Sequence, residues 1–293
     1  MDPRDALKNF KPSKDFFVGI DSDGCVFPTM ELKHKECFIP NFIRFYGLQG
    51  VSRAARETWE FVNLYSLDRG ANRFPALVKS VELLIQRGEF LDSGIASPDM
   101  KDIRGFTAST KPQSNAGLKE YLKENDTPSL RNLLAWSEAV NADIDRMVKN
   151  VRPFPSALRS IALFSGRADL MVVSGTPTSA LEKEWKEHGI DRSVRLICGQ
   201  EMGSKKEHLG LAAKGKYPDG RILMIGDAPG DHKAALSDGA LFFPVNPGAE
   251  ELSWRTFHDE SIPRFLDGSY TEAYEGSLTK TFYDLLPASP SWR

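Results

Sequence analysis

Short apolar segments alternate with segments of helical periodicity over the second half of the chain, and one further apolar segment stands near its start. The apolar segments are rich in Val, Ile, Leu and Phe and are continuous rather than alternating, which is typical of strands buried on both faces of a sheet. They occupy residues 16–20, 169–173, 194–198, 221–225 and 241–245. This order of strands and helices predicts an α/β fold with a doubly wound parallel sheet, whose ligands bind beyond the carboxyl ends of the strands.

Residues 30–150 differ from the rest because they show helical periodicity and almost no strand pattern. Thr127 and Pro128, for example, precede a run of apolar residues at helical spacing, as at the start of a capped helix. We therefore expect an inserted helical domain. The predicted division is a sheet domain formed by 1–28 and 151–250, a helical domain over 29–150, and a C-terminal extension over 251–293 that packs on the sheet domain.

Composition and charge bear on whether the protein binds nucleic acid or a membrane. The chain has 293 residues, 41% of them hydrophobic and 27% charged, and a formal net charge of -2. Without a basic field we expect no nucleic-acid partner. No apolar stretch approaches the roughly 18 residues of a membrane span, and the N-terminus does not resemble a signal peptide. We expect a cytoplasmic protein without a membrane partner, either a monomer or a homodimer.

Metal sites built on cysteine or histidine are disfavoured. The three cysteines are far apart in the sequence, and the five histidines form no HxH or HExxH spacing.

The segment FFVGIDSDGCVFP places Asp21 and Asp23 directly after the first predicted strand. Two carboxylates two positions apart on an extended chain point to the same face, so they repel unless a cation, a proton or a hydrogen-bond donor lies between them. A polar strand-to-loop turn would contain the same residue types. The motif alone therefore leaves a binding site and a simple turn both open.

Polar residues also follow the other strands. Ser174 and Gly175 come at the end of the second strand, where hydroxyl and N–H donors can hold an anion or begin a helix. Asp227 and Asp231 lie on a glycine-rich loop that enters a helix, where they could equally be helix caps.

A lysine, Lys205 or Lys206, begins the helix after the third strand. This is an unfavourable position for a cation unless an anion lies nearby. Four polar clusters at one edge of one sheet predict a shared site with carboxylates for a hard divalent cation and hydroxyl and ammonium groups for phosphate oxygens.

These four clusters resemble the motifs of the haloacid dehalogenase (HAD) superfamily of aspartate-nucleophile phosphotransferases. The matching stretches are DSDGCV, SGT, the lysine of SKKEHL and GDAPGD, in the family's order and approximate spacing. The resemblance covers roughly 12–28 and 150–248. The segment between the first two motifs is similar to the helical cap of phosphoglycolate phosphatase-like and beta-phosphoglucomutase-like members, on a Rossmann-like sheet.

The resemblance implies a role for each residue. Asp21 is the nucleophile that takes the phosphoryl group, and Asp23 is the general acid and then the general base. Ser174 hydrogen-bonds a transferring oxygen and, with Gly175, binds the substrate. Lys205, preferred over Lys206 because it matches the family's register, neutralises the charge on the phosphoryl group and on Asp21.

The resemblance also implies Mg²⁺, held by Asp21, Asp227, the backbone carbonyl of Asp23, and Asp231 directly or through water. The expected activity is hydrolysis of a small phosphorylated metabolite. Asp23 favours phosphate esters over the halogenated and phosphonate substrates of other members. A sugar phosphomutase and a non-catalytic protein that binds a phosphorylated ligand remain the alternatives.

A basic loop in the helical segment, LDRGANRF, contains Arg69, Asn72 and Arg73. Such a loop could close over an anionic substrate. Charges exposed between helices would give the same pattern, so both interpretations stay open.

Overall fold

The computed structural model describes residues 2–292 of the protein. A parallel sheet forms the centre of one part of this chain. Within these residues the sheet has five strands in the order β3-β2-β1-β4-β5, all parallel. The strands are β1 (Phe16–Ile20), β2 (Ala168–Val173), β3 (Leu196–Cys198), β4 (Ile222–Gly226) and β5 (Leu241–Pro244). The first strand in sequence is therefore central, with Ile20 in register with Val172 on one side and Ile225 on the other.

Both faces of the sheet are buried, which explains the continuous hydrophobicity of its strands. Val18 and Ile20 belong to one apolar core, whereas Phe17 belongs to another. Since successive side chains of a strand point to opposite faces, the two cores lie on opposite faces of the sheet. The predicted α/β fold with a doubly wound parallel sheet is confirmed.

The described chain divides into two compact units. The sheet unit consists of residues 2–30 and 150–287, and the helical unit of residues 31–149 and 288–292. The α-helices of the sheet unit are Asp5–Lys8, Pro155–Ser165, Thr178–Glu187, Lys205–Ala212, Pro229–Asp238, Glu250–Thr256, Ile262–Asp267 and Glu272–Asp284. Its remaining helical turns are Asp191–Ser193, Gln200–Met202 and Phe257–Ser261. The helix Thr29–Leu32 crosses the boundary between the units.

The helical unit is built around large aromatic side chains. Trp59 and Trp136 are fully buried, with ring centroids 5.9 Å apart, and Phe42 packs 5.0 Å from Trp59. Its α-helices are Ile39–Phe45, Ser52–Leu64, Arg73–Leu84, Gly88–Leu91, Lys101–Thr107, Asn115–Leu122 and Pro128–Met147, and its other helical segments are Lys33–Phe38 and Gln49–Val51. The start of the longest helix follows the sequence pattern, because the Thr127 side chain accepts a hydrogen bond from the Leu130 N–H.

Strand β3 and the C-terminal tail differ from the sequence-based expectation. Strand β3 begins at Leu196 rather than 194, because the chain first makes a helical turn at Asp191–Ser193. The segment 251–293 was expected to pack on the sheet domain, but residues 288–292 belong to the helical unit, where Trp292 packs against Phe61. Between residues 2 and 292 no helix has both the length and the apolar composition needed to cross a membrane.

Candidate active site

Three neighbouring strands end in the polar residues singled out above. Asp21 follows β1, Ser174 follows β2 and Asp227 follows β4. Because these strands are adjacent and parallel, their carboxyl ends lie at one edge of the sheet. All three side chains are buried, so their polar groups need partners within the fold.

Lys205 connects the first and last of these motifs. Its Nζ donates to Asp21 Oδ2 at 2.7 Å and to Asp231 Oδ1 at 2.6 Å. Burial would by itself lower the pKa of Lys205, but the two carboxylates outweigh it and raise the pKa above its usual value. The ammonium group is therefore charged at neutral pH, which explains how a lysine can occupy the start of a helix. The neighbouring Lys206 is exposed.

Asp231 has two partners. One oxygen accepts from Lys205, and the other accepts from the backbone N–H of Ala228 at 3.1 Å. Asp231 therefore caps the start of its helix and also contacts the lysine. Burial raises the pKa of Asp231 to about 6, although Lys205 acts in the opposite direction. Gly226 makes room for it, because a Cβ at that position would lie 2.3 Å from Asp231 Cγ.

The side chains of Asp21, Asp227 and Asp231 form a possible cation site. Each offers a carboxylate oxygen, and these oxygens lie within 4.8 Å of one another in a buried environment. Lys205 contacts two of these carboxylates, Asp21 and Asp231. An oxygen-only set of carboxylate donors fits a hard divalent cation.

Asp23 is held by two hydroxyl groups. Thr176 Oγ1 donates to Asp23 Oδ2 at 2.7 Å, and Thr29 Oγ1 donates to Asp23 Oδ1 at 2.5 Å. The two carboxylates of the DSDG motif therefore have different partners, which reduces the conflict between them. The role of Thr29 was missed, because it lies six residues beyond Asp23 and approaches only through the turn at Gly24, whose φ is 76°.

Ser22, between the two aspartates, fixes the direction of the loop. Its N–H donates to Asp21 Oδ1 at 2.8 Å. Its Oγ accepts from Trp185 Nε1 at 3.0 Å and donates to Glu184 at 3.3 Å. Sequence reasoning also missed this contact, since Trp185 looks like an ordinary core residue of its helix.

Ser174 and Gly175 occupy the end of β2 as predicted. The Ser174 N–H donates to the carbonyl of Cys198 at 3.0 Å, and its Oγ accepts from the Thr176 N–H at 3.3 Å. A Cβ on the exposed Gly175 would meet nothing within 4 Å, so the backbone there is open to approach. Ser174 does not cap the following helix, which begins at Thr178.

The basic loop of the helical unit is engaged in local contacts. Arg69 is buried and donates to the carbonyl of Leu64 at 2.8 Å, and Asn72 caps the helix Arg73–Leu84 by accepting from the Phe74 N–H at 3.0 Å. Arg73 bonds Ser137 and Asn141. These residues are not simply solvated charges.

Comparison with known proteins supports the fold. No protein-family model matches the sequence, and no curated protein matches it either. Among solved structures, a protein described as a predicted phosphoglycolate phosphatase from Haemophilus somnus has a TM-score of 0.50 at 15% identity, over 81% of this chain and 88% of that one. A haloacid dehalogenase-like family hydrolase from Xanthomonas campestris has a TM-score of 0.43 at 11% identity, over 87% and 97%.

The described chain therefore has the fold of the HAD-like hydrolases, as the four motifs predicted. At this level of identity the likeness concerns the fold alone. The chemistry has to be argued from the site itself.

Proposed function

We propose that the protein is a Mg²⁺-dependent phosphatase that hydrolyses a small phosphorylated metabolite through an aspartyl phosphate on Asp21. The observation that carries this proposal is the position of Lys205 between Asp21 and Asp231, beside Asp227 at the carboxyl edge of the sheet. A fixed cation between buried carboxylates is suited to neutralise a phosphoryl group, which is most of what catalysis of phosphoryl transfer requires.

In the first step, an oxygen of Asp21 attacks phosphorus while the bond between phosphorus and the leaving oxygen breaks. Asp23 gives its proton to that oxygen. In the second step, water attacks the phosphorus of the aspartyl phosphate, Asp23 takes a proton from the water, and the bond between phosphorus and the Asp21 oxygen breaks. This step regenerates the Asp21 carboxylate and releases inorganic phosphate. The contacts with Thr29 and Thr176 hold Asp23 in a defined direction for these transfers.

Three further groups contact the substrate in this scheme. The Ser174 hydroxyl and the open backbone at Gly175 donate to oxygens of the transferring group, and Lys205 balances its charge. Mg²⁺ would be held by Asp21, Asp227 and Asp231, with the backbone carbonyl of Asp23. When bound, it supplies positive charge against the phosphoryl oxygens.

In this proposal the helical unit acts as a cap domain. The protein is proposed to act in the cytoplasm.

The test is release of inorganic phosphate from a panel of phosphorylated metabolites, with and without Mg²⁺. We expect release that requires Mg²⁺ and is lost in Asp21→Asn, whereas Lys206→Gln, at an exposed neighbour of the site lysine, keeps it. Release that needs a bisphosphorylated sugar would indicate the mutase instead. No release from a folded protein that binds Mg²⁺ would contradict the proposal.

A further inference from the structure

Arg73 in the helical unit is a partly buried cation at the first position of the helix Arg73–Leu84. One side of its guanidinium lies against the ring of Phe38, 5.0 Å from the ring centroid. Burial lowers the pKa of Arg73 to about 10, which still leaves the group charged at neutral pH. A charge in such a position is costly unless an anion accompanies it.

The protein partners of Arg73 are all neutral. Its Nη1 donates to the backbone carbonyl of Ser137 at 3.2 Å, to Ser137 Oγ at 3.0 Å and to Asn141 Oδ1 at 2.7 Å. Among residues 2–292, no carboxylate forms a salt bridge with it. Arg87 in the same unit shows the usual arrangement, since it bonds both Glu57 and Glu89.

The orientation of Arg73 is fixed by a chain of contacts. Ser137 is fully buried, and its hydroxyl donates to Asn115 Oδ1 at 2.6 Å, so only its lone pairs face the guanidinium. All three protein bonds of Arg73 fall on Nη1. The edge formed by Nε and Nη2 has no hydrogen-bond partner within the described chain. This edge has the geometry that binds a carboxylate or phosphate through two parallel hydrogen bonds.

We propose that Arg73 is the centre of an oxyanion-binding site within the helical unit, which takes a phosphate or carboxylate group on its Nε–Nη2 edge. The group would supply the negative charge that the neutral partners do not. Asn141, which accepts from Nη1, is itself exposed. The proposal rests on residues other than the aspartates and the lysine of the proposed active site, and it does not depend on catalysis.

The experiment is a titration of the ¹⁵N-labelled full chain, followed through the arginine Nε–Hε resonances, without Mg²⁺. The probes are inorganic phosphate and acetate, with sodium chloride at matched ionic strength as the control. Arg73→Lys assigns the Arg73 resonance by its loss. Asn141→Ala, at an exposed position, gives a second assignment because it removes one partner of Arg73. Arg104, exposed and paired with Glu82, is the internal reference.

We expect a saturable shift of the Arg73 resonance with phosphate, acetate or both, while the Arg104 resonance follows the chloride control. A response to phosphate alone assigns the site to phosphate groups, and a response to acetate extends it to carboxylates. A resonance that moves only as in chloride, or not at all, would overturn the proposal and leave Arg73 a purely structural residue. Because the readout is local, this result is independent of whether phosphate release is found.

Discussion

Lys205 determines the charge balance of the candidate site, since it contacts two of its three buried carboxylates. In Lys205→Met we expect a loss of phosphate release of about 100-fold or more. We also expect a loss of about 3 kcal/mol in the free energy of unfolding without Mg²⁺, because Asp21 and Asp231 are left buried without a counter-charge. Kinetics and urea unfolding measure the two effects.

The matched control is Lys206→Gln, one residue further on and exposed. It should change neither quantity. Equal effects of the two substitutions would mean that the contacts of Lys205 are not what stabilises the site.

Asp169, on β2, is a buried carboxylate that is surrounded by hydrogen-bond donors. It is buried and accepts from Ser13, Tyr217 and Arg195. Burial by itself would raise the pKa of Asp169, but these donors outweigh it and lower the pKa to about 2. A carboxylate with a lowered pKa in the folded state stabilises the protein above its unfolded pKa, and the contribution is lost as the pH falls.

We therefore expect Asp169→Asn to lower the free energy of unfolding by about 2 kcal/mol at pH 7. The difference from the parent should shrink between about pH 4 and pH 2, as the parent's own carboxylate is protonated. Unfolding in urea across that range measures it. A difference that stays constant with pH would show that the charge of Asp169 is not the cause.

At the residue scale, the sequence predicted which polar residues come together better than it predicted their hydrogen-bond partners. Asp21, Asp227 and Asp231 come together as the motifs indicated. The sequence preferred Lys205 to Lys206 without showing its contacts, and in the structure Lys205 contacts Asp21 and Asp231 whereas Lys206 is exposed. The contact of Thr29 with Asp23 depends on a chain reversal that no local pattern encodes.

At the scale of single elements, the junction between β4 and the helix Pro229–Asp238 leaves no room for a side chain on Gly226. A Cβ there would lie 2.3 Å from Asp231 Cγ. We expect Gly226→Ala to destabilise the protein by about 2 kcal/mol and to displace Asp231 from Lys205. Unfolding in urea and phosphate release measure the two consequences.

Gly230 provides the control within the same junction, because a Cβ there would meet nothing within 4 Å. Gly230→Ala should leave activity unchanged and stability equal or slightly higher. Comparable losses in both variants would show that crowding of Asp231 is not the reason for the glycine at 226.

The strands were the most predictable elements, because burial on both faces makes them continuous apolar runs. Strand β1 has the expected bounds, Phe16–Ile20. The start of β3 was less predictable, because Val194 and Arg195 were included in the predicted strand 194–198. In the structure they connect the helical turn Asp191–Ser193 to β3, which begins at Leu196.

At the scale of the whole molecule, the chain enters the helical unit a second time at its C-terminal end. Trp292 packs edge-on against Phe61 with centroids 5.4 Å apart, and Arg87 lies 4.6 Å from its ring. Trp292→Ala should therefore raise hydrogen exchange in the helix Ser52–Leu64 and leave β1 unchanged, whereas Trp292→Phe keeps most of the protection. Equal changes in both units would contradict a local role for the tail.

This return of the chain could not be predicted, because the tail's apolar residues fit either unit equally well. The sheet and the inserted helical segment could be predicted, because continuous apolar runs mark the strands and helical periodicity marks the inserted segment over long stretches.

The proposed transfer of a phosphoryl group to Asp21 is tested most directly by trapping it. The Asp23→Asn variant is mixed with p-nitrophenyl phosphate and Mg²⁺, quenched in acid and analysed by mass spectrometry of the protein and its peptides. The leaving group of this ester needs no proton, so the first step proceeds while hydrolysis of the intermediate lacks its base.

We expect one added phosphoryl group on the peptide that contains Asp21, and none when Asp21→Asn is combined with Asp23→Asn. Mg²⁺-dependent release of phosphate that persists in Asp21→Asn, with no adduct at position 21, would contradict the assignment of Asp21 as the nucleophile.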